Sequence, residues 1–398
     1  MRFPLLLATL ALATLGASAQ HPFALDSLVQ HLPTYQNHIA QQPDAFELQV
    51  VYRPLTGPDS GTTQRYNVDP SKYFYPASTV KLPVAALALE QIAQLGILGL
   101  TTDSPMEVGA SQPPQTPSTQ RIGLPKTPAT ITGHVRDIAI VSSNEAYNRM
   151  YEWLGPNYIN RALQAHGWKT RIIHRVGNSA FKPEDNTQLN PVAFRSALPG
   201  KHDTVYYRGA AKATTPYAVR KYGEQKGLGG YDDSTATVIH EPFDFSRKNF
   251  ISLEDLADVL QAVVQPSTLD SIQRFRMLEK DRNALVEALS TRPAESDNPL
   301  HHDKPDGYVN FLYYGGEGAW EIGGPKIYNK VGDAYGTLTD VAIFEDEATN
   351  RRYLLAATLL VNANQIFNDG IYEYDEVGFP FLRELGRAVW QAAHLSEN

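Results

Sequence analysis

Residues 78–95 read STVKLPVAALALEQIAQL, and the rest of the chain is best read outward from this stretch. Its apolar residues fall on almost every side of a 3.6-residue period, which predicts a helix buried nearly all round. Pro83 lies in or near the first turn, where a proline costs least because the leading N–H groups of a helix have no internal partner. Ser78 and Lys81 are three residues apart, so hydroxyl and amine share one helix face. A serine hydroxyl attacks poorly until a base takes its proton. Lysine can be that base only if burial or a second cation lowers its pKa from about 10.4 toward neutrality. The head of a buried helix supplies the desolvation, and its free backbone N–H at Ser78 offers half of an oxyanion hole.

Upstream, Phe46–Arg53 (FELQVVYR) predicts a strand, with a turn at 57–61 and a second strand over Thr62–Val68. Downstream, 102–130 reads as loop, followed by helices at Gly133–Val141, Glu145–Leu154, Asn157–His166, Leu253–Val264 and Leu269–Leu289. Residues 200–249 have weak periodicity and read as an irregular insertion. A Gly-rich loop at 313–324 precedes three strands, Lys326–Val331, Tyr335–Glu345 and Arg352–Val361, and a closing helix over Phe381–Ala393. Strands near both termini with helices between them predict an α+β, three-layer fold, with an antiparallel sheet drawn from both ends and packed against a helical cluster.

The 398 residues carry 35 Lys+Arg against 43 Asp+Glu, a net charge of −8, and no basic cluster, so a nucleic-acid surface is not expected. Cysteine is absent, which excludes disulfides, thiolate metal sites, cysteine nucleophiles and a lipidated N-terminal anchor. Arg2, an apolar run from Leu5 to Leu15 and Ala17-Ser18-Ala19 read as a secretory signal over 1–19, leaving one domain over 20–398. The run is too short to span a bilayer, so a product exported to a periplasm, without a membrane anchor, is expected.

Two further segments complete a pattern: Val141-Ser142-Ser143-Asn144-Glu145 at a junction between helices, and Tyr328-Asn329-Lys330-Val331-Gly332 leading into an alternating strand. With S-T-V-K at 78–81, the order S-x-x-K, S-x-N, K-x-G and the flanks YPASTVKLPVAALAL, VRDIAIVSSNEAYNRM and NKVGDAYGTLTDVAIF resemble class A β-lactamases and related penicillin-recognising serine enzymes. The likeness spans about 45–195 and 250–395. It implies the β-lactamase/transpeptidase-like fold and acyl transfer to a β-lactam or cell-wall peptide amide, with no cofactor and no metal. It implies Ser78 as the acylated nucleophile, Lys81 as its proton partner and Ser142 as the relay to the leaving nitrogen. Asn144 would hold the substrate's amide side chain, and Lys330 would supply positive field. Gly332 completes the K-x-G motif, and Asp333 would share the oxyanion hole with Ser78 through its N–H.

Three departures stand out. Val331 replaces the hydroxyl of K-T-G, and Ser143 replaces the central residue of S-D-N. Asn186-Thr187-Gln188-Leu189-Asn190 is the nearest match to E-x-x-L-N, with Asn186 at the deacylating glutamate; Glu184 is the nearby substitute. Competing strings are a second S-x-x-K at Ser179–Lys182, a literal Ser296-Asp297-Asn298 read as a solvated turn, His301-His302-Asp303 read as surface loop, and Lys221-Tyr222-Gly223.

Overall fold

The computed structural model describes residues 23–177, 180–214, 224–316 and 324–395. Its main sheet has the order β3-β4-β5-β1-β2, from β1 (Gln49–Pro54), β2 (Gln64–Tyr66), β3 (Lys326–Ala334), β4 (Thr337–Asp346) and β5 (Arg351–Leu360). Every pairing is antiparallel, and β1 enters beside β5 with Gln49 opposite Thr358. The sheet is therefore built from both ends of the chain, as the strand pattern predicts.

Both faces of this sheet are covered, and the side-chain period of two divides β4 between them. Val341 and Ile343 join the core shared with helices α1 (Lys81–Leu95), α2 (Ile131–Val141), α3 (Asn144–Leu154), α4 (Pro156–Ala165), α5 (Leu253–Val264) and α6 (Glu279–Ser290). Ala342 and Phe344 face the other way, into a core with α7 (Phe379–Leu395) and the short helix Leu25–Gln30. Each buried Val, Ile, Leu or Phe contributes roughly 1.5–3 kcal/mol. Helix α1 lies inside the first core, with Leu82 through Leu89 all buried, which is the environment its uniform apolarity predicts.

Two expected elements differ. Residues 43–46 make a helical turn rather than the start of β1, and Glu47 follows in left-handed conformation. Within the helix expected over Leu269–Leu289, only Glu279 onward is helical. There the backbone is taken up by tertiary partners: the Arg274 guanidinium donates to the Ser267 and Leu269 carbonyls, and Arg276 N–H donates to Glu90 Oε1 at 2.7 Å. Residues 1–19, with the secretory signal, lie outside the described residues.

Candidate active site

Ser78 occupies a 3₁₀ turn, Ala77–Val80, that leads directly into α1. Thr79 closes the turn by donating its N–H and its hydroxyl to the Pro76 carbonyl, at 3.0 and 2.6 Å. Ala77, immediately before the serine, has φ +46°, a left-handed conformation that costs a non-glycine residue about 1 kcal/mol or more. Edge strand β3 runs against this turn. A Cβ on Gly332 would lie 2.7 Å from the Pro76 carbonyl oxygen, 2.8 Å from Ser78 N and 2.9 Å from Thr79 N, so only glycine permits the approach. The backbone that carries Asp333 is thereby held beside the Ser78 N–H.

Lys81 is fully buried. Its Nζ donates to the Ser142 backbone carbonyl, to Ser142 Oγ at 3.2 Å and to Asn144 Oδ1 at 2.5 Å. Ser142 stands between α2 and α3 with φ +57°, which turns carbonyl and hydroxyl toward the lysine. Ser143 caps α3, its Oγ accepting from Ala146 N–H at 3.2 Å, so this serine serves the loop. From β3, Lys330 donates to Ser142 Oγ at 2.8 Å and to the Val331 carbonyl at 2.9 Å. Burial and then the neighbouring Lys330 depress the Lys81 amine well below its ordinary range. Burial takes Lys330 down to about 7, opposed by Asp340 and Asp333. All seven residues singled out in the sequence, Ser78, Lys81, Ser142, Asn144, Lys330, Gly332 and Asp333, thus belong to one neighbourhood.

The loop at 183–190 has a different character. Asn186 is buried, its Oδ1 accepting from Arg175 N–H at 2.8 Å and its Nδ2 donating to the Lys182 carbonyl at 3.3 Å. Arg175 in turn pairs with buried Glu152 at 2.9 Å and lies 4.1 Å over the Phe181 ring. The Asn186 amide is therefore committed to its own loop, and Glu184 is exposed.

The model of the beta-lactamase enzyme family matches residues 34–393. The chain belongs to that family.

Among solved structures, a beta-lactamase from Burkholderia vietnamiensis is 14% identical with a TM-score of 0.51, covering 94% of this chain and 98% of that one. A beta-lactamase from Desulfarculus baarsii is 16% identical with a TM-score of 0.50, covering 94% and 98%. PBP-A, seen as an acyl-enzyme with penicillin G, is 16% identical with a TM-score of 0.49, covering 92% and 96%. At such identities the likeness is one of fold, β-lactamase/transpeptidase-like and α+β. No curated protein matches the chain.

Within this beta-lactamase-family chain the competing strings have other roles or lie elsewhere. Ser296-Asp297-Asn298 is a packed turn, not a solvated one. Asp297 pairs with Arg121 at 2.7 Å, and Asn298 Nδ2 donates to the Ile122 carbonyl at 2.9 Å. His301 is buried against Ser296 Oγ at 2.8 Å, a correction to its surface-loop reading; His302 and Asp303 are exposed. Ser179 and Lys221-Tyr222-Gly223 lie outside the described residues. Among the described residues no group of three or more His, Cys, Asp or Glu is placed to hold a metal ion.

The structure also shows what the sequence reading missed, namely that the insertion is built into the site. Its strand Ala211–Lys212 pairs with Gln188–Leu189, and Ala213 N–H donates to the Thr187 carbonyl at 2.7 Å, one residue past Asn186. At its other end Phe245 lies 6.0 Å from the Tyr75 ring and 5.6 Å from Tyr335, the residues flanking the nucleophile turn and β3. Lys248 donates to Tyr335 Oη at 3.1 Å. The only sequence signal for this was the density of aromatic residues, and buried Tyr73 and Tyr75 show that these belong to a core.

Proposed function

We propose that this chain is an exported serine hydrolase of the class A β-lactamase type, acting on an amide or β-lactam carbonyl through an acyl-enzyme on Ser78. The observation that carries the reading is the convergence of two buried lysines on Ser142 Oγ beside the Ser78 turn. In the proposed step Ser78 Oγ bonds to the carbonyl carbon while its proton passes to neutral Lys81, directly or through one water. The carbonyl oxygen becomes an oxyanion facing the N–H groups of Ser78 and Asp333. As the C–N bond breaks, the nitrogen takes the Ser142 proton, which Lys81 replaces, leaving Lys81 neutral again. Asn144 holds the amide side chain of the substrate, and Lys330 favours the anionic character that develops. Water then hydrolyses the ester and restores Ser78.

The second reading is a penicillin-binding D-alanyl-D-alanine peptidase or transpeptidase, and Asn186 favours it. An amide already donating and accepting within its loop cannot take a proton from water, so the acyl-enzyme would persist. Intact mass after incubation with a chromogenic cephalosporin, with absorbance followed in parallel, tests both readings. Colour lost in Ser78→Ala supports the lactamase, and a lasting Ser78 adduct supports the peptidase. If neither adduct nor colour is seen, acylation by β-lactams is refuted. Export to the periplasm is proposed from Arg2, the apolar run and Ala17-Ser18-Ala19, and N-terminal sequencing of the mature protein tests it.

A further inference from the structure

We infer that Asp333 makes this site select acyl donors that are neutral or cationic next to the scissile carbonyl, and reject those carrying a carboxylate there. The inference rests on Ser78 being the acylated nucleophile. β3 is an edge strand of the sheet, so a substrate reaching Ser78 lies along its open side. That strand presents, in order, Lys330, Val331, Gly332 and Asp333 to the corner beside the nucleophile turn. Val331 has no hydroxyl and is buried in the core on the α7 side of the sheet, so it offers an incoming anion nothing. Gly332 contributes only backbone against Ser78 N and Thr79 N. Lys330, the cation at this corner, is fully buried and already donates to Ser142 Oγ and to the Val331 carbonyl.

The remaining side chain is exposed, and it is an acid. The Asp333 carboxylate lies within electrostatic reach of Lys330 and Lys81, and close to its own backbone N–H, the second proposed oxyanion donor. A substrate carboxylate entering this corner meets a like charge, with no free hydroxyl or amine on β3 to compensate. Like charges brought together at a partly desolvated site repel strongly enough to change binding by an order of magnitude. A neutral ester or amide avoids that repulsion, and an ammonium group gains a partner.

The test compares a chromogenic cephalosporin as its free acid with its methyl ester, using the mature protein and reading acylation rates by stopped-flow absorbance and intact mass. The wild type is expected to acylate the ester at least as fast as the acid. Asp333→Asn, which keeps the shape and removes the charge, should lower the ester-to-acid ratio of kcat/KM about tenfold. A merely structural role would change both substrates together and leave the ratio where it was. A wild type preferring the acid tenfold, or an unchanged ratio in Asp333→Asn, would overturn the inference. The wild-type ratio decides even if the variant does not fold. Absence of any Ser78 adduct with either compound would instead overturn the acylation reading beneath it.

Discussion

Lys81 and Lys330 donate to the same oxygen, Ser142 Oγ, from 3.2 and 2.8 Å, which places their ammonium positions within about 6 Å of each other. At an effective dielectric of about 20, two full charges at that separation repel by roughly 3 kcal/mol. The arrangement is relieved if one amine is neutral, for then Ser142 accepts from Lys330 and donates its proton to Lys81. Its hydroxyl has one proton and two lone pairs, so it can hold both contacts at once. Burial adds to the repulsion and acts mainly on Lys81.

Replacing Lys81 separates function from stability. Lys81→Met removes the proposed base and should slow acylation by about 10³-fold or more. Because it also removes a desolvated amine from an apolar helix, its melting temperature should equal or exceed that of the wild type. Single-turnover acylation and calorimetry check the two halves. A Lys81→Met protein that acylates normally would refute the Ser–Lys mechanism.

The pH profile should bear the mark of Lys330. If the field it supplies requires the charged form, kcat/KM should fall as pH rises through about 7. Lys330→Arg, whose guanidinium stays protonated, should flatten that alkaline limb; an unmoved limb would assign it to another group. Stability has the opposite sign. The folded lysine loses its proton near 7 while the unfolded one keeps it to about 10.4, so its contribution grows with pH across that window, by at most about 1.4 kcal/mol per unit. Denaturant titrations at several pH values, compared between wild type and Lys330→Arg, measure it.

Gly332→Ala should lose acylation without losing the fold. The new methyl meets three backbone atoms at 2.7–2.9 Å, and backbone cannot rotate away. The nucleophile turn must shift, and a displacement near 1 Å is enough to cost about 10²-fold. Unchanged circular dichroism with acylation lowered about 10²-fold is the expected result.

Asn186→Glu should not convert the site into a fast hydrolase. Its carboxylate would keep the Arg175 N–H but face the Lys182 carbonyl, with which it cannot hydrogen-bond, at a destabilising cost of about 1–3 kcal/mol. Expected are a lower melting temperature and an acyl-enzyme lifetime no shorter than that of the wild type. Faster deacylation would show that the loop can turn this side chain toward Ser78.

Asp340 carries a structural load behind the site. It accepts from Phe311 N–H, Leu312 N–H and Asn329 Nδ2 at 3.0, 2.9 and 2.9 Å, while burial raises its pKa to about 6. Asp340→Ala strands three buried donors and should cost roughly 3 kcal/mol or more in denaturant unfolding. Its titration has a definite sign: stability from this group is complete below about 3.9 and lost as pH rises through about 6.

The elements that sequence alone determined are those whose signal is local. A uniformly apolar 81–95 must be a buried helix, and alternation over 337–346 must be a strand. Ser78 and Lys81 share a face because a helix turn dictates it. The joining of Ser142, Asn144 and Lys330 to them was legible only because three separate strings occur in a recognisable order, since nothing in their chemistry says that they meet. What the tertiary structure alone decided is long-range. It directs the Lys81 amine to Ser142 and Asn144, turns the Asn186 amide into its own loop and seats Ser296–Asn298 against Arg121. It also makes an aperiodic insertion into a clamp on both sides of the site. Each of these depends on partners between 11 and 176 residues apart or on backbone hydrogen bonds that carry no side-chain code. Helical and strand periodicity repeats every few residues, and so cannot report contacts at that range.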